Sequence, residues 1–194
     1  MSLRFTSYSL PSSVELSSPD RPGESPALVQ GIMDQKIAIQ GTALSIREAL
    51  FTDLEVVLHH RRSMFSDMGY RMDAIEKAMS ASRPFFADRL SDGRFRAWLV
   101  EDERHQVVAG GGIIVSDHHA SPTDPSPRRP IIVNVYTEPP YRRRGIARSL
   151  MELMIRWCRE QGFGSIVLHA SQYGRPLYEE LGFQATNEMR LILK

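Results

Sequence analysis

The stretch Ile131-Ile132-Val133-Asn134-Val135-Tyr136-Thr137, then Glu138-Pro139-Pro140, then Tyr141-Arg142-Arg143-Arg144-Gly145-Ile146-Ala147 decides how the rest of the chain is read. Its first seven residues are mostly β-branched and read as a strand. The two prolines make a turn. Beyond them Ile146, Leu150, Leu153, Met154 and Trp157 recur on one helical face. The order is therefore strand, tight basic turn, helix start. The first backbone N–H groups of a helix have no partners, and the aligned peptide dipoles add partial positive charge there. Gly145 has no β-carbon, so an anion can approach the backbone, and Arg142, Arg143 and Arg144 add full charges. A phosphate or pyrophosphate suits such a place. The spacing is neither a Walker A loop nor a dinucleotide fingerprint.

The 194 residues are 42% hydrophobic, which suits one domain with an extra segment and a core that needs no staples. Lys and Arg total 24 against 23 acidic residues, a net charge of +1. No global field attracts nucleic acid, and only local basic patches could. Cys158 is alone, so no internal disulfide forms and a reducing, cytoplasmic setting is expected. No run approaches the roughly 20 apolar residues of a membrane span, and the N-terminus lacks an apolar signal core.

Upstream, residues 1–41 read as an arm or a disordered leader, Ser- and Pro-rich up to about Gln30, with a short strand open at Gln35 to Gln40. The folded domain is expected over 42–194. Leu44 to Arg47 reads as a strand. Thr52 and Glu55 form a capping-box pattern for a helix that ends near Gly69. A second helix starts at Asp73 and breaks near Pro84, with a shorter piece from Phe85 to Leu90. Phe95 to Glu101 and Val107 to Ser116 form a hairpin, with Gly110-Gly111-Gly112 marking a bulge or a close approach. His118 to Pro130 reads as a loop. After the basic turn come a buried strand from Ser165 to Ala170, a short helix from Pro176 to Leu181, and a last strand within Phe183 to Leu193. Strand, helix, strand over 131–170 implies one parallel pair, and the hairpin implies antiparallel neighbours. The fold class is mixed α/β (α+β), a mainly antiparallel sheet with helices packed on its faces.

Two motifs then meet: Val135 to Ala147, containing Arg142-Arg143-Arg144-Gly145-Ile146-Ala147, and Leu168 to Phe183, containing Tyr178-Glu179-Glu180-Leu181-Gly182-Phe183. Together they resemble the GNAT superfamily of acyl-coenzyme A-dependent N-acyltransferases, whose signature is Gln/Arg-x-x-Gly-x-Gly/Ala. The resemblance covers Thr42 to Lys194. It implies a splayed parallel strand pair and acetyl-coenzyme A as co-substrate. Backbone amides of Arg142, Arg143, Arg144, Gly145, Ile146 and Ala147 would hold the pyrophosphate. The strand Val135-Tyr136-Thr137 would pair with the pantetheine arm through backbone groups of Val135 and Thr137. Tyr178 matches the tyrosine that in many members protonates the departing thiolate. Several members carry Glu or His on the strand here occupied by Ile131-Ile132-Val133, which cannot take a proton. Glu138 and His169 are the remaining base candidates, directly or through water that Asn134 could orient.

Each feature also has a plainer reading. The arginines could be a solvated turn or an RNA contact, Tyr178 a core residue, His169 a structural histidine and Glu138 a turn residue. His59-His60-Arg61-Arg62 reads as a polar helix face, and adjacent histidines on a helix make a poor metal site, so no metal is expected. Cys158 reads as core. Arg128 and Arg129 could be loop charge or could reach the ribose phosphate. The sequence reading is thus an N-acetyltransferase acting on an amine of unknown identity, with a non-catalytic acyl-coenzyme A-binding regulatory domain as the alternative. Nucleic acid and membrane partners are not expected, and a homodimer stays open.

Overall fold

The computed structural model describes residues 35–39, 42–122 and 124–193. Residues 1–34, most of the expected leader, lie outside them. The described elements are β1 (Gln35–Ile39), β2 (Thr42–Glu48), α1 (Leu54–Asp67), α2 (Met72–Ser91), β3 (Phe95–Glu101), β4 (Val107–Asp117), β5 (Arg128–Thr137), α3 (Ile146–Glu160), β6 (Val167–Leu168) and α4 (Arg175–Glu180). Six strands form one sheet in chain order. All neighbours are antiparallel except β5 and β6, which run parallel. β1 pairs with β2 from Gln35↔Ile46 to Ile39↔Thr42, so the sheet starts inside the stretch read as leader, at the short strand expected there.

Both faces of the sheet are covered. Along β3, Phe95 and Ala97 pack with Val57, Leu58, Ile75, Met79 and Phe86 of α1 and α2. Their neighbours Trp98 and Val100 pack with Leu150, Met154 and Trp157 of α3. A strand buried on both sides reads as a continuous apolar run, which is why β3 shows little alternation. Cys158 is fully buried on α3, and burial pushes its thiol up to about 12, which makes it a core residue and a poor nucleophile.

Four local expectations need correction. Thr52 does not cap α1. Phe51–Asp53 form a 3-10 turn, and Asp53 accepts the Leu50 N–H at 2.7 Å while receiving both Nη atoms of Arg47 at 2.7 and 2.9 Å. Arg47 holds the Asp53 carboxyl below its ordinary range. Glu55, the other half of the expected box, pairs with Arg83 of α2 instead. Second, α2 runs unbroken through Pro84. Pro84 lies on the exposed face, so the Ser80 carbonyl that lost its donor can bond to water, while Met79, Ser82 and Phe86 stay buried on the other face. Third, the strand after α3 is only Val167–Leu168, and it is half-buried. Fourth, residues 184–193 form no strand, and Met189 is 94% and Ile192 81% exposed. Strand-forming composition needs a partner, and β6 presents only two residues of pairing.

Candidate active site

The site is built on a fault in β5. Gly110 pairs with Tyr136 and Gly112 with Val133, so Gly111 faces both Asn134 and Val135. This is a β-bulge, and Asn134 sits at its centre with φ 57°, a left-handed conformation that asparagine tolerates better than most residues. The β4 glycines make room. A β-carbon on Gly112 would lie 2.4 Å from Phe95 Cε2, and one on Gly110 would lie 3.0 Å from His60 Nδ1. The bulge also inverts the facing of the strand. Ile132 packs with the α3 cluster and Val133 with the α1–α2 cluster. Asn134 then faces α1 as well, Val135 returns to α3, and Tyr136 meets His60 of α1. Pairing with β6 stops at Ile132↔Leu168, so β5 continues for five residues with an edge that β6 does not cover.

The basic turn follows directly. Pro139–Tyr141 form a 3-10 turn, Arg143 has φ 60°, and Gly145 has φ 83° at the entry to α3. Nothing lies within 4 Å of where a Gly145 β-carbon would sit, so the backbone there is open. The three arginines behave differently. Arg142 donates Nε to the Thr137 carbonyl at 2.8 Å and pairs with Asp67 at the end of α1. Arg144 lies over the Tyr141 ring at 5.4 Å, and Arg143 is exposed. Arg148 of α3 pairs with Glu180 of α4, which ties the helix start to the motif that holds Tyr178. Arg128 and Arg129 are strand rather than loop residues at the opposite end of β5, roughly 30 Å of strand from the turn. Arg129 contacts His118 and Asp124 there.

Tyr178 comes from α4, which follows the carboxyl end of β6, while the basic turn follows the carboxyl end of β5. The two strands are parallel, so both come from the same end of the sheet. Tyr178 is partly buried against the α3 cluster, and burial raises its hydroxyl above the ordinary tyrosine value, so the O–H stays a donor at neutral pH. Glu138 is fixed by its N–H to the Val108 carbonyl at 2.9 Å. Its Oε1 shares a hydrogen bond with His59 Nε2 at 2.9 Å, and its Oε2 accepts from the Tyr136 hydroxyl at 3.5 Å. His169 follows β6 directly. Its side chain is 66% exposed and its acidic neighbour is Glu188, at 3.7 Å.

The α1 face holds what sequence reasoning missed. His59-His60-Arg61-Arg62 is not a uniformly polar face. His60 is 2% exposed and Arg61 is half-buried, and only His59 and Arg62 look outward. Burial lowers the His60 imidazole to about 4, so it is neutral. The signal was available: Val57, His60 or Arg61, and Phe65 share the helical spacing of a buried stripe. α1 is wedged between α2 and the β4–β5 part of the sheet, so its buried arc is wider than its apolar residues suggest. Outside it, a groove of about 520 Å³ runs between α1 and α2, lined by Glu55, His59, Arg62, Glu76 and Arg83. In it Arg62 pairs with Glu76 and Arg83 with Glu55.

A mixed sheet with one splayed parallel pair, followed by a basic turn at a helix start, defines the class of acetyl-transferring folds whose two motifs the sequence carries. A model of the acetyltransferase (GNAT) family matches residues 57–183, and the chain belongs to that family. A GCN5-related N-acetyltransferase from Ralstonia eutropha is 32% identical, with a TM-score of 0.75 over 77% of this chain and 98% of that one. A predicted acetyltransferase from Clostridium acetobutylicum, crystallised with acetyl-CoA, is 28% identical, with a TM-score of 0.70 over 77% of this chain and 96% of that one. Human N-acetyltransferase 8 is 27% identical over 94 residues, which are 47% of this chain and 39% of that protein. The chain thus matches about two fifths of the human relative's length. No helix among the described residues is long and apolar enough to cross a membrane.

Proposed function

We propose that this chain is an N-acetyltransferase that moves the acetyl group of acetyl-coenzyme A to a primary amine by direct attack, with both substrates bound together. The observation that carries this reading is the open backbone at Gly145, at the start of α3, beside a β5 edge that β6 leaves uncovered. The Arg142 N–H already donates to the Pro139 carbonyl at 3.3 Å, and the N–H groups of Arg143 to Ala147 at the helix entry suit the pyrophosphate, with Arg143 the arginine least engaged elsewhere. The edge of Val135, Tyr136 and Thr137 suits the pantetheine amides, which would extend the sheet. The co-substrate supplies an activated acyl thioester. Holding it beside the amine removes much of the entropic barrier.

Tyr178 donates its hydroxyl proton toward the departing sulfur. Glu138 accepts a proton from the attacking nitrogen, directly or through His59, whose ring opens onto the groove between α1 and α2. Glu138 is favoured over His169 because it lies at the end of β5 and already holds a histidine. The groove, with carboxylates and guanidiniums on its walls, suits the amine acceptor.

The test is thiol release from acetyl-coenzyme A over an amine panel, with calorimetry of coenzyme binding. Turnover of at least one amine is expected. Tyr178→Phe is expected to lower kcat about 100-fold, the low end for general acid catalysis because a thiolate leaves readily, with coenzyme affinity nearly unchanged. Coenzyme binding with no turnover of any amine would favour a non-catalytic regulatory domain. A kcat within about twofold of wild type in Tyr178→Phe would remove Tyr178 as the acid.

A further inference from the structure

Among the described residues, Arg61 is a half-buried guanidinium without a counter-ion. Its Nε donates to Ser82 Oγ at 2.9 Å and its Nη1 to Asn134 Oδ1 at 2.8 Å. The rings of Phe65 and Phe86 lie 4.6 and 5.3 Å from its central carbon. No acidic group pairs with it among the described residues. Burying a charge this way is costly, and a methionine would fill the space between two phenylalanines without that cost. The two hydrogen bonds are therefore the informative feature. Ser82 sends its own proton to the Ala78 carbonyl at 2.8 Å, so its oxygen accepts from Arg61 and anchors the guanidinium to α2. From that anchor Arg61 reaches across α1 to the bulge in β5.

Asn134 is 5% exposed, and among the described residues its side chain has no other hydrogen-bond partner. A guanidinium only donates, so the amide oxygen must face Arg61 and the amide nitrogen must face away. That nitrogen has no protein partner, and neither has His60 Nε2, and both residues line the same cavity of about 10 Å³. Among the described residues, one hydrogen bond from Arg61 thus secures the side chain of the left-handed residue. Much depends on that conformation. Were Asn134 to become extended, a one-residue slip would turn Val135, Tyr136 and Thr137 to opposite faces and carry Glu138 with them.

We propose that Arg61 is a positioning residue for acyl transfer: through Asn134 it pins the β5 bulge, and with it the strand edge and Glu138. This rests on the function proposed above. The test uses the full chain with Arg61→Met, Arg61→Lys, Asn134→Gly and the Arg61→Met/Asn134→Gly pair. Amide resonances of Val133 to Glu138 are read by NMR without substrate, coenzyme affinity by calorimetry, and kcat on whichever amine is turned over. Arg61→Met is expected to shift those resonances, to lower kcat by about 100-fold, the size of loss that roughly an ångström of misplacement causes, and to raise KM for the coenzyme as well, because the Val135 to Thr137 edge moves with the bulge. Glycine adopts the left-handed conformation without help. In the Asn134→Gly background the same Arg61→Met change is therefore expected to cost less than about threefold, a coupling that only a shared role produces. Arg61→Lys guards against a folding failure and is also expected to lose kcat, since its donors sit on one nitrogen and lack the rigid fork whose Nε and Nη1 reach Ser82 and Asn134 separately. Unchanged β5 resonances and wild-type kcat in the folded Arg61 variants would overturn the proposal, as would an equal kcat loss in both Asn134 backgrounds. A wild-type chain that turns over no amine would instead defeat the proposed function, and the NMR reading would still decide whether Arg61 holds the bulge.

Discussion

Tyr178 lies over Gly174, four residues before it, and its N–H donates to the Gly174 carbonyl at 3.1 Å. Gly174 has an ordinary φ of −86°, so its backbone does not require glycine. Space does. A β-carbon there would lie 2.7 Å from Tyr178 Cε2 and 2.9 Å from its hydroxyl oxygen. Gly174→Ala must therefore push the ring away from where it now sits. We expect a kcat loss approaching that of Tyr178→Phe at nearly unchanged thermal stability, and little further loss when the two changes are combined. A Gly174→Ala enzyme with wild-type kcat would mean that the ring's placement is immaterial. Tyr178 itself was legible in the sequence from its motif. Gly174 was not, because the clash arises only when the ring folds back along α4.

At the level of elements, α3 is the part whose geometry and sequence agree best. Its apolar stripe is buried over Ile146, Leu150, Met151, Leu153, Met154, Trp157 and Cys158. Its entry glycine adopts φ 83°, which a side chain would strain, and the space around it is open. Gly145→Glu is expected to abolish acetyl-coenzyme A binding, because strain and a negative charge would both enter the anion position. Calorimetry on the folded variant checks this, and unchanged affinity would move the phosphate site elsewhere. β5 behaves in the opposite way. Its apolar run was plain, yet the bulge at Asn134 was not, since a bulge is a mismatch between two strands and β4 supplies half of it. The three glycines of β4 hinted at an irregularity without saying which strand would carry the extra residue.

For the molecule as a whole, the buried imidazole of His60 makes stability depend on pH. Burial is the main cause of its lowered value of about 4, with Glu138 raising it and His59 lowering it by less. An unfolded histidine titrates near 6.5. Between these values the unfolded chain takes up a proton that the folded chain refuses, so acid favours unfolding. The contribution is fully present above about pH 6.5 and is lost as pH falls toward 4, a change of order 3 kcal/mol. Asp53, held low by Arg47, adds its own loss only below the ordinary carboxylate range. In denaturant unfolding between pH 7 and 4.5, the wild type should therefore lose more stability on acidification than His60→Leu. Parallel curves would show that His60 is not buried in its neutral form.

The sequence by itself determined the family, the order of elements from β2 to α4, the basic turn and the place of Tyr178 on the short helix after β6. Those features are local: periodicity, turn chemistry and two motifs each lie within one short stretch. Tertiary structure decided everything that needs two distant stretches at once. It carried α2 through Pro84 by burying the opposite face, and it gave Asp53 rather than Thr52 the work at the start of α1 because Arg47 was within reach. It paired Glu138 with His59 and drew Arg61 to Asn134, contacts separated by 79 and 73 residues. It also left residues 184–193 without a strand partner. A single sequence records propensities, whereas a bulge, a buried cation and a hydrogen bond between distant side chains exist only between elements, where packing fixes which of several compatible partners each group meets.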